Sequence, residues 1–210
     1  MVKCELGPGL ATTIEHLAAR WVRADRQILR HLFPLLAEGH PVPVNRLVQA
    51  SGATSESVER ALAGGRVEVD DDGDIIQLYG VTLSQTLHRI ESEHTVLFAC
   101  CALVSHVVPR LLTRRMRVTS TDPVTGDSVR LLIAPGGLLS VEPESAMASM
   151  IVTDEIDLEE DAPLYFCDHV HHFTTRSAAA EFIERNPNRY EISLSELDAA
   201  AERLYSAVWR

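Results

Sequence analysis

Three of the four cysteines lie in two short apolar segments, residues 97–103 (Leu-Phe-Ala-Cys-Cys-Ala-Leu) and 164–173 (Leu-Tyr-Phe-Cys-Asp-His-Val-His-His-Phe). A cysteine does chemistry as the thiolate, which attacks electrophiles or binds soft metals, whereas a buried neutral thiol is a small hydrophobe. The company favours chemistry. On a strand, where side chains alternate, Cys167, His169 and His171 share one face. With a cysteine from the 97–103 segment they make a possible tetrahedral Cys2His2 site for zinc or copper. The adjacent pair Cys100 and Cys101 lies within 96–108, which reads as a buried helix. There the two side chains diverge by about 100°, so only one serves the site.

Other chemistries lack their residues. The Gly64-Gly65 and Gly136-Gly137 pairs have neither the third glycine nor the lysine of a nucleotide loop. There is no G-x-S-x-G elbow, and Ser105 and His106 on a helix point apart. Asp70, Asp71, Asp72 and Asp74 lack the alternating ligands and distal glutamate of a calcium loop. The second acidic cluster, from Asp154 to Asp161, reads as solvated sequence. Cys4 stands near the start and is assigned no role.

The elements that must position these residues follow from composition and pattern. With 210 residues, 46% hydrophobic and 23% charged, the chain can bury a sizeable core. No basic cluster precedes an apolar run at the start, and the run at 96–108 is shorter than the roughly twenty residues of a membrane span. A cytoplasmic location is therefore expected, where thiols stay reduced. The net charge of −11 argues against general affinity for nucleic acid or anionic membrane.

Apolar spacing predicts a helix over 11–33, then short helices over 44–50 and 55–63 separated by Ser-Gly-Ala-Thr. A hairpin follows around Asp72-Gly73, completing a winged-helix pattern. Between residues 42 and 88, three arginines face seven acidic residues, a net −4. Such a module is unsuited to phosphate and reads as a structural cover. After Pro109 come β-type segments at 116–120, 128–133, 138–141, 146–152 and 164–173. Helices are expected at 177–185 and 194–209, the last with Ser193 and Glu196 at capping-box spacing. The fold class is α+β: a winged-helix-like helical module over 1–90, then a mixed catalytic domain over 91–210 with a mainly antiparallel sheet.

Along 32–173 the sequence resembles the alkylmercury (organomercurial) lyases. The resemblance is carried by Leu-Leu-Ala-Glu-Gly-His-Pro-Val at 35–42, Asp-Gly-Asp-Ile-Ile at 72–76 and Tyr-Gly-Val-Thr-Leu at 79–83. It continues through Cys-Ala-Leu at 101–103, Arg-Val-Thr-Ser at 117–120, Val-Glu-Pro at 141–143 and Phe-Cys-Asp-His-Val-His at 166–171. The resemblance implies a helix-turn-helix-like module ahead of an α+β catalytic domain. It also implies that Cys101 and Cys167 are the paired thiols that hold mercury while an acid protonates the departing carbon. Enzymes of this family carry an aspartate three residues after the first cysteine; here that position is Val104. Two further departures are Asp168 and Asp122, where family members have cysteines. The resemblance leaves Asp168 or His169 as the proton donor. It implies an organometallic substrate, small thiols and a mercuric reductase as partners, and no organic cofactor. The departure at Val104 leaves two other readings, a non-catalytic metal-binding protein and a repurposed dithiol enzyme.

Overall fold

The computed structural model describes residues 6–21, 25–151 and 166–210. The amino-terminal third is helical: α1 (Pro8–Trp21), α2 (Arg26–Leu29), α3 (Leu32–Leu36), α4 (Val44–Ser51) and α5 (Ser55–Gly64). The single helix expected over 11–33 is divided. Asp25 accepts the backbone N–H groups of Gln27 and Ile28 and so starts α2 afresh. Between α4 and α5 the chain turns at Gly52, whose φ of +68° is ready conformational space for glycine. Thr54 caps α5 by accepting from Ser57 N–H.

The wing follows as β1 (Val67–Val69) and β2 (Ile75–Leu78), antiparallel about the Asp72-Gly73 turn. Asp70 Oδ1 accepts from the backbone N–H of both Asp72 and Asp74, so this acidic cluster organises its own turn. The wing is not a separate sheet. With β3 (Val81–Thr82), β4 (His88–Ser92), β5 (Thr95–Ala99), β6 (Met116–Thr121), β7 (Ser128–Ala134) and β8 (Gly137–Glu142) it forms eight antiparallel strands in the order β1-β2-β3-β5-β4-β6-β7-β8. The expected β6–β7 hairpin is present, in register from Met116 opposite Ile133 to Thr121 opposite Ser128.

Residues 96–108 do not form one helix. Thr95, Leu97 and Ala99 are buried while Val96 is 41% exposed, so the first part is β5; α6 (Ala102–Leu111) starts only after Cys101. Alternation is hidden in the sequence because the outward positions of β5 are also apolar. Pro109 lies inside α6 rather than ending it. This helix crosses the inner face of the large sheet. Ile90, Leu97, Val118, Leu131 and Ile133 point into that core, each 2% exposed or less, and burial of such a side chain is worth about 1.5–3 kcal/mol.

A three-stranded sheet, β10-β9-β11, is built from β9 (Met147–Ile151), β10 (His172–Phe173) and β11 (Arg189–Ser193). Among the described residues two further helices follow, α7 (Arg176–Arg185) and α8 (Leu194–Trp209). Ser193 and Glu196 form the expected capping box at the start of α8, which packs on α6 and α1. The strand expected over 164–173 is also corrected. Among its described residues, Phe166 and Cys167 are helical and Asp168 and His169 form a turn, leaving only His172 and Phe173 as strand. Cys4 and the acidic cluster from Asp154 to Asp161 lie outside the described residues.

Candidate functional site

The site is assembled where β5 gives way to α6. Cys100 N–H donates to Gly80 O at 2.8 Å, continuing the strand pairing by one residue, and Cys101 then takes the extended N-cap position of α6. Ala102 N–H donates to Val170 O at 2.8 Å. That bond clamps the start of α6 against the turn carrying Cys167. Gly80 has a φ of +80°, and a Cβ there would lie 2.3 Å from Cys100 Sγ. A side chain at position 80 would therefore push this sulfur out of place.

The sulfur atoms of Cys100, Cys101 and Cys167 all lie within 4.8 Å of one another, and Cys100 Sγ is 2.7 Å from Cys167 Sγ. Two sulfurs gripping one soft ion at about 2.3 Å each, the zinc–thiolate length, stand about 4.6 Å apart at most. The cluster has the size to hold such an ion. Cys101 is fully buried and Cys167 is 9% exposed.

Burial opposes ionisation of Cys101, but hydrogen bonds from Cys100 and Cys167, the backbone N–H of Val104 and the nearby His88 outweigh it. Its thiol is held well below the ordinary range, as suits a thiolate at a helix N-terminus. Cys100 moves the other way, chiefly because it hydrogen-bonds Cys101, with Cys167 and burial adding to the effect. For Cys167 the bond to Cys100 lowers the pKa, while the bond to Cys101 and burial raise it by more. Of the three, Cys101 is thus the sulfur pushed toward the thiolate.

The structure corrects the expected ligand set. Among the described residues, the group close enough to share an ion is three cysteines, without His169 or His171. A helical turn at Cys167 breaks the alternation that would have aligned the trio. His171 Nε2–H donates to Asp168 O at 2.7 Å, which leaves its Nδ1 buried without a hydrogen-bond partner. Asp168 is exposed, and its carboxylate belongs to a solvent-facing turn rather than to the buried sulfurs. His169 is only partly buried. Asp122 is fully buried and structural: it accepts from Thr174 N–H and Oγ1–H and from Val124 and Thr125 N–H, so that these bonds outweigh burial and lower its pKa.

Sequence reasoning missed several buried groups. Cys100 belongs to the cluster, because it stands at a strand–helix junction and the helical angle of about 100° does not apply. His88, Ser120, His172 and His106 are fully buried and joined by hydrogen bonds, ending on Asp198. The only signal in the sequence was polar residues in apolar surroundings, which is also what any satisfied core histidine gives.

The comparisons with known proteins agree along the chain. Residues 81–206 match the family model described as alkylmercury lyase, and residues 10–78 match the helix-turn-helix domain of alkylmercury lyase. The chain is 37% identical to an alkylmercury lyase of Staphylococcus epidermidis over 161 residues, 76% of this chain and 73% of that one. It is 30% identical to the Bacillus cereus alkylmercury lyase over 80% of this chain and 76% of the other. For the Streptomyces lividans alkylmercury lyase the identity is 35%, over 75% and 72%. The crystal structure of the mercury-bound form of MerB2 superposes with a TM-score of 0.76, covering 96% of this chain and all of that one at 21% identity, so the fold is shared. Both parts of the chain match models of one family, and relatives above the 30% level span most of its length; this protein belongs to the alkylmercury lyase family.

Proposed function

We propose that this protein cleaves the carbon–mercury bond of organomercurials by thiolate-assisted protonolysis, giving mercury(II) and a hydrocarbon. The observation that carries the reading is the buried cluster of three sulfurs that sets Cys101 beside Cys167, and hydrogen bonds within it hold the Cys101 thiol below its ordinary range. Mercury is soft and takes thiolate ligands readily. The Cys101 thiolate displaces the ligand X of R–Hg–X, and Cys167 then adds its sulfur to the metal. Two sulfur donors raise the electron density on mercury and weaken its bond to carbon. The electron pair of that bond goes to carbon, which takes a proton and leaves as R–H. Overall, R–Hg–X and two thiols become a bis-thiolate mercury(II), R–H and H–X.

No organic cofactor enters this scheme. Mercury(II) leaves by exchange onto low-molecular-weight thiols in excess, or onto the dithiol of a mercuric reductase.

The test is incubation with phenylmercury and excess small thiol, with chromatography for benzene. The intact protein should release benzene, whereas Cys101→Ser and Cys167→Ser should each release none above the thiol-only control. Protein isolated with one firmly held zinc per chain and unable to release benzene would overturn the reading in favour of a metal-binding role.

A further inference from the structure

Protonolysis needs a proton at carbon inside a buried site, and position 104, one helical turn beyond Cys101, carries the side chain of a valine that is 3% exposed. A continuous line of buried polar groups runs instead to His88, which pairs across the strands with Ala99, two residues before Cys101. His88 Nδ1 is 2.9 Å from Ser120 Oγ, and Ser120 Oγ is 2.8 Å from His172 Nδ1. His172 Nε2 is 3.3 Å from His106 Nε2, and His106 Nδ1 is 3.0 Å from Asp198 Oδ1. His88, Ser120, His172 and His106 are each 0% exposed. The far end reaches the surface, where the Asp198 side chain is 14% exposed.

At the inner end, His88 Nε2 is buried with no hydrogen-bond partner. His88 starts β4 directly opposite Ala99, two residues before Cys101. An unsatisfied buried nitrogen on the strand paired with the one that leads into Cys101 calls for an explanation.

The direction of the bonds supplies one. Asp198 is held ionised: burial opposes this, but His106 and Arg110 bring its pKa down to about 2. A carboxylate only accepts, so His106 Nδ1 carries hydrogen. With His106 neutral, its Nε2 must accept from His172 Nε2–H. His172 Nδ1 then accepts from Ser120 Oγ–H, and Ser120 Oγ accepts from His88 Nδ1–H. His88 Nε2 is left as a bare lone pair. With His106 protonated, every bond reverses and His88 Nε2 carries hydrogen. Only His106 changes charge between these two states, next to the Asp198 carboxylate. His88 and His172 stay neutral in both, in keeping with burial pushing His88 down to about 3 and His172 well below the usual range.

We propose that His88, Ser120, His172, His106 and Asp198 form a proton relay that stores the proton of Cys101 and returns it to the carbon leaving mercury. The inference rests on the lyase reading above. In the loading step, which makes the Cys101 thiolate before R–Hg–X binds, the S–H bond of Cys101 breaks and its proton passes to His88 Nε2. Successive transfers through Ser120 and His172 leave His106 as an imidazolium paired with Asp198. In the discharge step the electron pair of the carbon–mercury bond takes the proton from His88 Nε2, the line relaxes outward, and His106 is neutral again. The Cys167 proton leaves with the displaced ligand, so atoms and charge balance. His88 meets the reacting atoms; Ser120, His172, His106 and Asp198 are positioning residues.

Ser120→Ala removes one oxygen and cuts the line. It should slow benzene release from phenylmercury by about two to four orders of magnitude, the usual effect of losing a positioned acid. Stoichiometric capture of phenylmercury, followed by mass of the adduct, should be unchanged. Ser120→Thr, which keeps the hydroxyl, should recover most of the rate. Asp198→Asn cuts the outer end and should behave like Ser120→Ala, which keeps the test available if the serine variant is unstable. Benzene release by Ser120→Ala and Asp198→Asn within a few-fold of the unaltered protein overturns the relay and leaves the lyase reading intact. Failure of the unaltered protein to release benzene overturns the lyase reading instead.

Discussion

Cys100 shows how one side chain sets the character of its neighbours. Its sulfur touches Cys167 Sγ at 2.7 Å and hydrogen-bonds Cys101, so it pulls both neighbouring thiols down while its own rises. A hydrogen bond to a charged acceptor is worth about 1.5–3 kcal/mol. Replacing Cys100 by alanine should therefore shift Cys101 back toward the ordinary thiol range. The ultraviolet absorbance of the thiolate, followed against pH, should show a higher midpoint. Alkylation of Cys101 at fixed pH below that midpoint should slow by about tenfold. An unchanged midpoint would mean that the helix N-terminus, Val104 N–H and His88 hold the thiolate without help from the third sulfur. Alanine is smaller than cysteine, so a fall in reactivity would not reflect new crowding.

At the scale of elements, Asp198 on α8 is the tie between α6, α8 and β8. It accepts from His106 Nδ1–H and Arg110 Nη2–H on α6 and from Leu138 N–H on β8. Arg110, 3% exposed, also donates to Glu202 on α8, so its buried charge is paired on both sides. The Asp198 pKa falls from 3.8 to about 2 on folding. A depressed carboxyl stabilises the fold above its unfolded pKa, and that contribution is lost as pH falls through the folded value. The window is thus from about pH 4 down to about pH 2, and the contribution is about 2 kcal/mol. Urea unfolding across that window should show the intact protein losing about this much more stability than Asp198→Asn. Parallel pH curves for the two proteins would remove the carboxylate from this role.

Elements of this kind differ in how far a sequence reveals them. The β6–β7 hairpin and the capped α8 are legible because alternation, turn residues and a capping box are local. β5 is not, because Val96 and Phe98 face outward yet are apolar, and the run reads as one buried helix. The turn at Cys167 is hidden for a related reason, since period two looks intact in the residue types while Ala102 N–H to Val170 O shapes the backbone from a distance. The pairing of Cys101 with Cys167 came from family resemblance; the fold brings both sulfurs together with that of Cys100. The relay was beyond reach because strand register brings His88 to Ser120, and packing of α6 on α8 brings His106 to Asp198.

For the whole molecule, the winged-helix pattern and the catalytic part share their structure. Hydrogen bonding runs without a break from the wing through β3 and β5 to the strand that delivers Cys100. Tyr79 Oη–H donates to Trp21 O, and its ring stacks on Trp21 at 4.9 Å and meets Trp209 edge-on at 6.1 Å. Arg26 Nη1–H donates to Val208 O, and α1 packs on α8. The acidic amino-terminal module, net −4 over 42–88, thus packs directly on the part of the chain that carries the site. A chain divided into independent units would unfold in steps, whereas one shared sheet and core predict a single transition. The two tryptophans report on both ends of the sequence at their meeting point, and far-ultraviolet circular dichroism reports on the helices and strands throughout. Urea curves from the two signals should coincide in midpoint and slope. A fluorescence change that precedes the loss of ellipticity would show the module releasing first, and the sulfur cluster would then be expected to survive removal of residues before Gly80. Coincident curves imply the reverse: destabilising α1, for instance by Ile14→Ala, which empties a fully buried position at a cost of about 2–5 kcal/mol, should lower the denaturant concentration at which phenylmercury capture is lost by the same amount as it lowers the global midpoint.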